Sequence, residues 1–202
     1  RCIGWCEKHG LNIILDLHRT AGYAFHSLSE NRLFESEELK NRFISLWKEF
    51  ARRYKDHRDN VVFELLNEVV EYDSSRWNLL SRRAVEAIRE IDKNRIIIIG
   101  GNNYNSIWEL KYLDRLEDKR LVYTFHFYTP LIFTHQRASW MPEMKELDFI
   151  VPYPSGRKEY EIYLKKPEYL RDRVEFSETT DKDYLASCLK PALEFMEDRE
   201  VL

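Results

Sequence analysis

Apolar residues fall along this chain in two regimes. Short runs without polar alternation, as in strands buried on both faces, occupy residues 11–18 (LNIILDLH, behind Gly10), 61–66 (VVFELL), 96–99 (IIII) and 121–127 (LVYTFHF). Between them the period changes to that of a helix. Leu39, Phe43, Leu46, Trp47, Phe50, Ala51 and Tyr54 recur at helical spacing over residues 37–54, behind Ser36 and two glutamates that suit a helix N-terminus. Leu80, Ala84, Ala87 and Ile88 mark one face of a helix over 77–91, and a short helical stretch is predicted near 106–116. The order βαβαβαβ predicts an α/β protein with a parallel sheet covered by helices.

The strands start at about 11, 61, 95 and 121. These intervals suit βα units of an eight-fold barrel, which spends ~250 residues on eight of them. The pattern therefore predicts a fragment of a (β/α)8 TIM barrel that does not close. Residues 129–180 carry prolines and charges without a clear period, as loops at a binding face do. A helix resumes over 181–198 through Tyr184, Leu185, Cys188, Leu189, Ala192, Leu193 and Met196, with a kink expected at Pro191. No linker interrupts the chain, so residues 1–202 read as a single incomplete domain. The first residue, Arg1, is not an initiator Met and no signal-peptide pattern follows it, so the chain is expected to be part of a longer one.

Composition narrows the partners. Lys and Arg total 32 against 35 Asp and Glu, a net charge of -3, which argues against nucleic acid or an anionic membrane surface. The 44% hydrophobic content supplies a packed core. The longest aliphatic run, Ile96 to Ile99, falls far short of the ~20 residues of a membrane span. Three cysteines, Cys2, Cys6 and Cys188, cannot build a disulfide framework, and small apolar packing is the role expected of Cys2 and Cys6.

In a parallel barrel the C-terminal strand ends form the active face, so polar residues there carry the candidate chemistry. The first strand ends Asp16-Leu-His18, the second continues into Asn67-Glu68, and the fourth runs Tyr123-Thr-Phe-His-Phe-Tyr128. A period of two puts Tyr123, Phe125 and Phe127 on one side and Thr124, His126 and Tyr128 on the other. A lone strand-end His or Tyr more often satisfies a backbone group, but several converging ones reverse those odds. Glu68 is the strongest candidate general acid, because the strand before it is almost wholly apolar and such surroundings raise a carboxyl pKa. Glu64 lies four residues back, about 13 Å along an extended strand. That exceeds the ~5–5.5 Å carboxylate spacing of a retaining glycosidase, so Glu64 reads as a structural group. Asp16, two residues below His18, is the remaining strand carboxylate near a mouth and a weaker candidate nucleophile.

Three segments now form a recognisable set. Leu15-Asp-Leu-His-Arg-Thr-Ala-Gly22, Phe63-Glu-Leu-Leu-Asn-Glu68 and Tyr123-Thr-Phe-His-Phe-Tyr-Thr-Pro130 resemble, in order and spacing, the third, fourth and sixth strands of glycoside hydrolase family 5, the cellulase-type (β/α)8 barrels. The resemblance covers nearly the whole chain and implies strands 3 to 6 with their helices. It further implies a retaining hydrolase of β-1,4-glucan, with a polysaccharide or oligosaccharide as partner, no cofactor and no metal. Glu68 would be the acid/base and Asn67 would contact the sugar beside the scissile bond. His18, His126 and Tyr128 would line the central subsite, with His126 and Tyr128 positioning nucleophile and substrate. The resemblance also implies an extracellular or cell-surface location.

Two departures from the family pattern stand out. Val69 occupies the place where a Pro often follows Asn-Glu. The family's nucleophile, a Glu ending the seventh strand, has no counterpart, and it is expected a few residues beyond Leu202. The first two strands and the eighth are expected to be missing as well, so the 202 residues alone are expected to be inert and poorly soluble. Neither Glu178, in a polar stretch before a helix, nor Glu200, at the end of an exposed helix, fills the nucleophile's place. Trp140 in the long excursion can stack on a sugar ring or pack its own loop. His26 and His135 are expected at the surface. Other readings are a non-catalytic carbohydrate-binding remnant, a related mannanase or β-1,3-glucanase, and a metal hydrolase using His18, Glu68 and His126. The last lacks the closely spaced ligand pairs that such sites use.

Overall fold

The computed structural model of the chain describes residues 1–57, 60–145, 150–156, 158 and 179–201. The strands are β1 (Ile13–Asp16), a hairpin of β2 (Arg19–Thr20) and β3 (Tyr23–Ala24), then β4 (Val61–Glu64), β5 (Ile97–Gly100) and β6 (Leu121–Thr124). Helices α1 (Cys2–Lys8), α2 (Glu37–Tyr54) and α3 (Ser74–Arg89) accompany them. Four of the strands form one parallel sheet in the order β1-β4-β5-β6, with Ile13 beside Val61, Phe63 beside Ile97 and Ile97 beside Leu121. Among the described residues this sheet is open at β1 and at β6 and closes no barrel.

Helix α2 begins where the sequence predicts, with the Ser36 hydroxyl accepting from the Leu39 amide at 3.3 Å and Glu37 and Glu38 in the first turn. Helix α3 begins three residues before the predicted start, because Asp73 caps it by accepting from the Ser75 amide at 2.9 Å. Both helices bury one face on the sheet. Val61, Phe63 and Leu65 point toward them and are fully buried, and the Trp47 ring lies 5.2 Å from that of Phe63. Each buried indole satisfies its polar atom on a strand carbonyl, Trp47 on Leu65 at 3.2 Å and Trp77 on Gly100 at 2.9 Å. Alternation sends Ile14, Val62, Ile98 and Val122 to the other face. There Ile14 is 56% exposed and Val122 39%.

Several boundaries differ from the predicted ones. Strand β6 ends at Thr124, and the chain beyond it keeps only an isolated parallel bridge between His126 and Ser106. The last helix is two, Lys182–Cys188 and Lys190–Arg199, broken just before Pro191. Helix α1 buries none of its residues, so Cys2 is exposed and the packing role expected of it is not realised; Cys188 alone of the three cysteines is buried. No helix among the described residues is long and apolar enough to cross a membrane.

The chain divides into two compact units, one of residues 1–126 with the end of the chain from Phe195, the other of residues 127–194. The second gathers Ile132, Met144, Val151, Tyr184 and Cys188 into its own apolar cluster. Part of the excursion without sequence period is therefore held by packing around side chains from the following helix.

The N-terminal ends of the strands are held by Arg95, a fully buried side chain just before β5. The C-terminal end of a helix leaves carbonyls without partners. Arg95 donates to the carbonyls of Tyr54 at 2.6 Å, at the end of α2, and His57 at 3.0 Å, and to that of Val61 at the start of β4. Its guanidinium lies 3.0 Å from the buried Asp92 carboxylate and 4.7 Å over the Phe63 ring. Arg95→Met would strand all of these groups, and breaking one side of a buried pair costs about 3–5 kcal/mol. That loss is expected in denaturant unfolding, with part of it recovered in Arg95→Met/Asp92→Leu. A loss of about 1 kcal/mol or less would show that the pair behaves as a solvated one.

Candidate active site

Strand β4 is the centre of the site. Its ladder ends at Glu64, but Leu65 and Leu66 continue into the core, and the Asn67 amide donates to the Leu17 carbonyl at 3.0 Å. This bond ties the end of β4 to that of β1 and leaves Asn67 only 6% exposed. The next residue, Glu68, has φ of 48°, in the left-handed region that costs a residue with a Cβ. The chain therefore turns at Glu68 rather than running on as a strand.

Tyr23 of β3 bridges this turn. Its hydroxyl donates to the Glu68 carbonyl at 2.9 Å and accepts from the Val70 amide at 2.6 Å. The ring is buried edge-on against Phe34, with centroids 5.9 Å apart. Burial pushes the phenol well above its ordinary value, so it keeps its proton to donate. Between Glu68 and Val70, the Val69 carbonyl accepts from the Tyr104 amide at 3.1 Å. A proline carbonyl could do the same, so Val69 costs this turn no such contact.

His126 approaches from past β6, where its backbone amide donates to the Asn105 carbonyl at 2.8 Å. Its Nδ1 lies 3.0 Å from Glu68 Oε1, with both side chains largely sheltered from solvent. The hydrogen bond with Glu68 raises the imidazole pKa, outweighing the opposing effect of burial. Just past β1, His18 Nδ1 contacts the carboxylate of Asp16, the last residue of that strand, and Asp16 stands beside Glu64 across the β1–β4 pair. Burial raises the Glu64 carboxyl pKa first, and the Asp16 charge adds to it. Glu64, expected as a structural group, thus shares an electrostatic cluster with Asp16, His18 and His126.

Asn67, Glu68 and His126 come together; His18 sits on the neighbouring strand end beside Asp16. Tyr128 and Trp140 belong to the second unit, where the His135 ring joins them. Centroids of Tyr128 and His135 are 5.0 Å apart, and those of His135 and Trp140 6.3 Å, both pairs edge-to-face. Trp140 is 75% exposed, while His135, expected at the surface, is half-buried. His26 is exposed as expected, Glu200 is exposed beside Arg115, and Glu178 lies outside the described residues. Among the described residues, no three His, Cys, Asp or Glu side chains group as ligands for a metal ion. A cavity of about 920 Å³ between the loops after β4 and β5, lined by residues including Tyr72, Asn103 and Tyr112, does not include Glu68.

Two residues that the sequence reading missed support the site. Tyr23 gives no local signal, since its partners lie more than 40 residues away. Asn105 is fully buried, and a Cβ at Gly100 would lie 2.3 Å from its Nδ2. Residues Asn103, Tyr104 and Asn105 all have positive φ, which the Asn-rich segment after Gly101 permits.

The pairing has measurable consequences. In an NMR titration His126 should lose its proton above the ordinary imidazole range, and Glu68→Gln should lower that pKa; no change would show that the pair is not formed. A raised histidine pKa stabilises the fold below the ordinary imidazole range, and that contribution is lost as pH rises through the raised value. A raised carboxyl pKa acts in the same direction. The folded state binds the Glu64 proton more tightly, so stability falls as pH climbs from the ordinary glutamate range through the raised value. Glu64→Gln should therefore gain melting temperature over the parent at pH 7 relative to pH 4, and a gap that does not change with pH would refute the assignment.

Comparison with known proteins adds a family. The sequence matches the cellulases, glycosyl hydrolase family 5, over residues 1–199. It is 43% identical over 201 residues to endoglucanase C of Acetivibrio thermocellus, covering 99% of this chain and 59% of that protein. Cellodextrinase A of Ruminococcus flavefaciens is 43% identical over 141 residues, which are 69% of this chain and 42% of the relative. The solved structure of an endoglucanase from Thermotoga maritima superposes with a TM-score of 0.69 at 27% identity, covering 98% of this chain and 54% of that one. The chain thus spans little more than half the length of these endoglucanases. Its fold is accordingly a portion of a TIM barrel, and the chain belongs to glycosyl hydrolase family 5, the cellulases.

Proposed function

We propose that this chain carries the acid/base half of a retaining endo-β-1,4-glucanase, with the sheet β1-β4-β5-β6 as barrel strands 3 to 6 of one incomplete catalytic domain spanning residues 1–202. The observation that carries this reading is the Glu68–His126 pair, 3.0 Å apart at the C-terminal end of a parallel sheet. In a parallel barrel that end is the catalytic one. Glu68 gives its proton to the glycosidic oxygen as the bond to the anomeric carbon breaks, and its carboxylate then takes a proton from the water that cleaves the glycosyl-enzyme intermediate. His126 fixes the orientation of that carboxyl, Asn67 contacts the sugar beside the scissile bond, and His18 lines the subsite. Tyr128 and Trp140 offer exposed aromatic faces to the chain of sugars. The nucleophile is a carboxylate other than Asp16, which is engaged by His18, and other than Glu64, which burial disfavours as an anion.

The substrate is a β-1,4-glucan polysaccharide or oligosaccharide, in keeping with relatives named as endoglucanases and a cellodextrinase. No cofactor is required, and the place of action is outside the cell or at its surface. The full-length protein that contains this chain should hydrolyse carboxymethyl cellulose with retention of anomeric configuration. Glu68→Gln should abolish turnover of substrates with poor leaving groups yet spare the first step on activated aryl cellobiosides, whose leaving group departs without a proton. Equal, small losses on both substrates would reject the acid/base role.

A further inference from the structure

The Glu68 backbone conformation carries a cost that something must offset. A glutamate gains nothing from left-handed dihedrals, and such a residue persists only where its surroundings over-determine it. The surroundings here converge on one atom. The Tyr23 hydroxyl donates to the carbonyl of Glu68 and accepts from the amide of Val70, so it clamps both sides of the turn. It has both capacities, and the two bonds use one of each.

The clamp is itself held rigidly. Tyr23 pairs with Thr20 in the β2–β3 hairpin, whose turn contains Gly22 at φ of 74°. A Cβ at Gly22 would meet Leu39 of α2 at 2.4 Å, and the Gly22 carbonyl accepts from the amides of Arg32 and Leu33 at 2.8 and 3.0 Å. The Tyr23 ring packs on Phe34, which packs in turn on Trp77 of α3. The hydroxyl is thereby fixed to the same helices that carry the sheet. We propose that Tyr23 is a positioning residue for Glu68, holding its backbone in the left-handed turn that delivers the carboxyl to His126. This inference rests on the acid/base reading of Glu68 given above.

Tyr23→Phe keeps the ring and its packing and removes only the hydroxyl. In the full-length protein the turn then relaxes and the carboxyl moves, and a displacement of about 1 Å can cost ~10²-fold in rate. Because proton donation is what suffers, kcat/KM should fall by about that factor on an unactivated cello-oligosaccharide and much less on a dinitrophenyl cellobioside. Phe34→Leu, which loosens the same packing but retains the hydroxyl, serves as the comparison: its melting temperature should fall without any dependence on leaving group. Replacing the Val70 amide by an ester removes the other half of the clamp and leaves every side chain in place. It should show the leaving-group dependence of Tyr23→Phe to a smaller degree, and it decides the matter if Tyr23→Phe does not fold. Equal losses on both substrates in the clamp variants, or no loss, would overturn the positioning role. Glu68→Gln, assayed in parallel, separates this from failure of the acid/base reading: if it too lacks leaving-group dependence, that reading falls and the inference with it.

Discussion

Glu68 must leave a buried strand with its backbone left-handed, and much of the surrounding structure is built to make that possible. The conformation turns the chain away from the strand direction at the point where the carboxylate meets His126. A continued strand would send successive side chains to alternate faces and carry the chain about 3.3 Å further with each residue. The sheet thus supplies a rigid approach, and one strained residue at its end supplies the direction. Strain of this kind is affordable only where neighbouring bonds are good, and here four fix the segment: Asn67 to Leu17, Tyr23 to Glu68, Val70 to Tyr23, and Tyr104 to Val69.

Rigidity at the opposite end of the sheet has a different chemistry. Arg95 satisfies carbonyls from the end of α2 to the start of β4 with one planar, permanently charged group, and Asp92 balances the charge. The strands are therefore pinned below by a buried ion pair and above by neutral hydrogen bonds. The functional end avoids a buried ion pair as its anchor and keeps its ionisable groups partly open to solvent, where they can exchange protons.

The strands and helices were legible because their signal is local. Ser36 and the glutamates after it announce α2, and the four apolar runs announce the sheet, since periodicity depends only on neighbours in sequence. Asn67, Glu68 and His126 were legible because strand ends gather at one face whatever the loops do. Tyr23 was not, because its hydroxyl acts across 45 residues and nothing in Ala-Gly-Tyr reports the partner. The start of α3 was misplaced for a smaller reason: the run of apolar residues begins at Trp77, whereas the cap that starts the helix is the polar Asp73. The half-buried setting of His135 was missed for the same reason as Tyr23, since Trp140 and Tyr128 reach it from either side in sequence.

The electrostatics of the strand ends follow from the same geometry. Parallel register places Asp16 beside Glu64, and the bend after β4 brings Glu68 to His126, so carboxylates and imidazoles alternate within a small volume. Two of these groups, Glu64 and His126, hold protons more tightly than they would in water, one because burial and a like charge penalise its anion, the other because a carboxylate rewards its cation. Both shifts act in one direction: they keep protons on this end of the sheet at higher pH than isolated side chains would. Mutual repulsion between carboxylates gathered so closely would otherwise oppose the fold, and proton uptake relieves it. This retention of protons arises from strand register, which sets Asp16 beside Glu64, and from the one left-handed residue at which Glu68 meets His126.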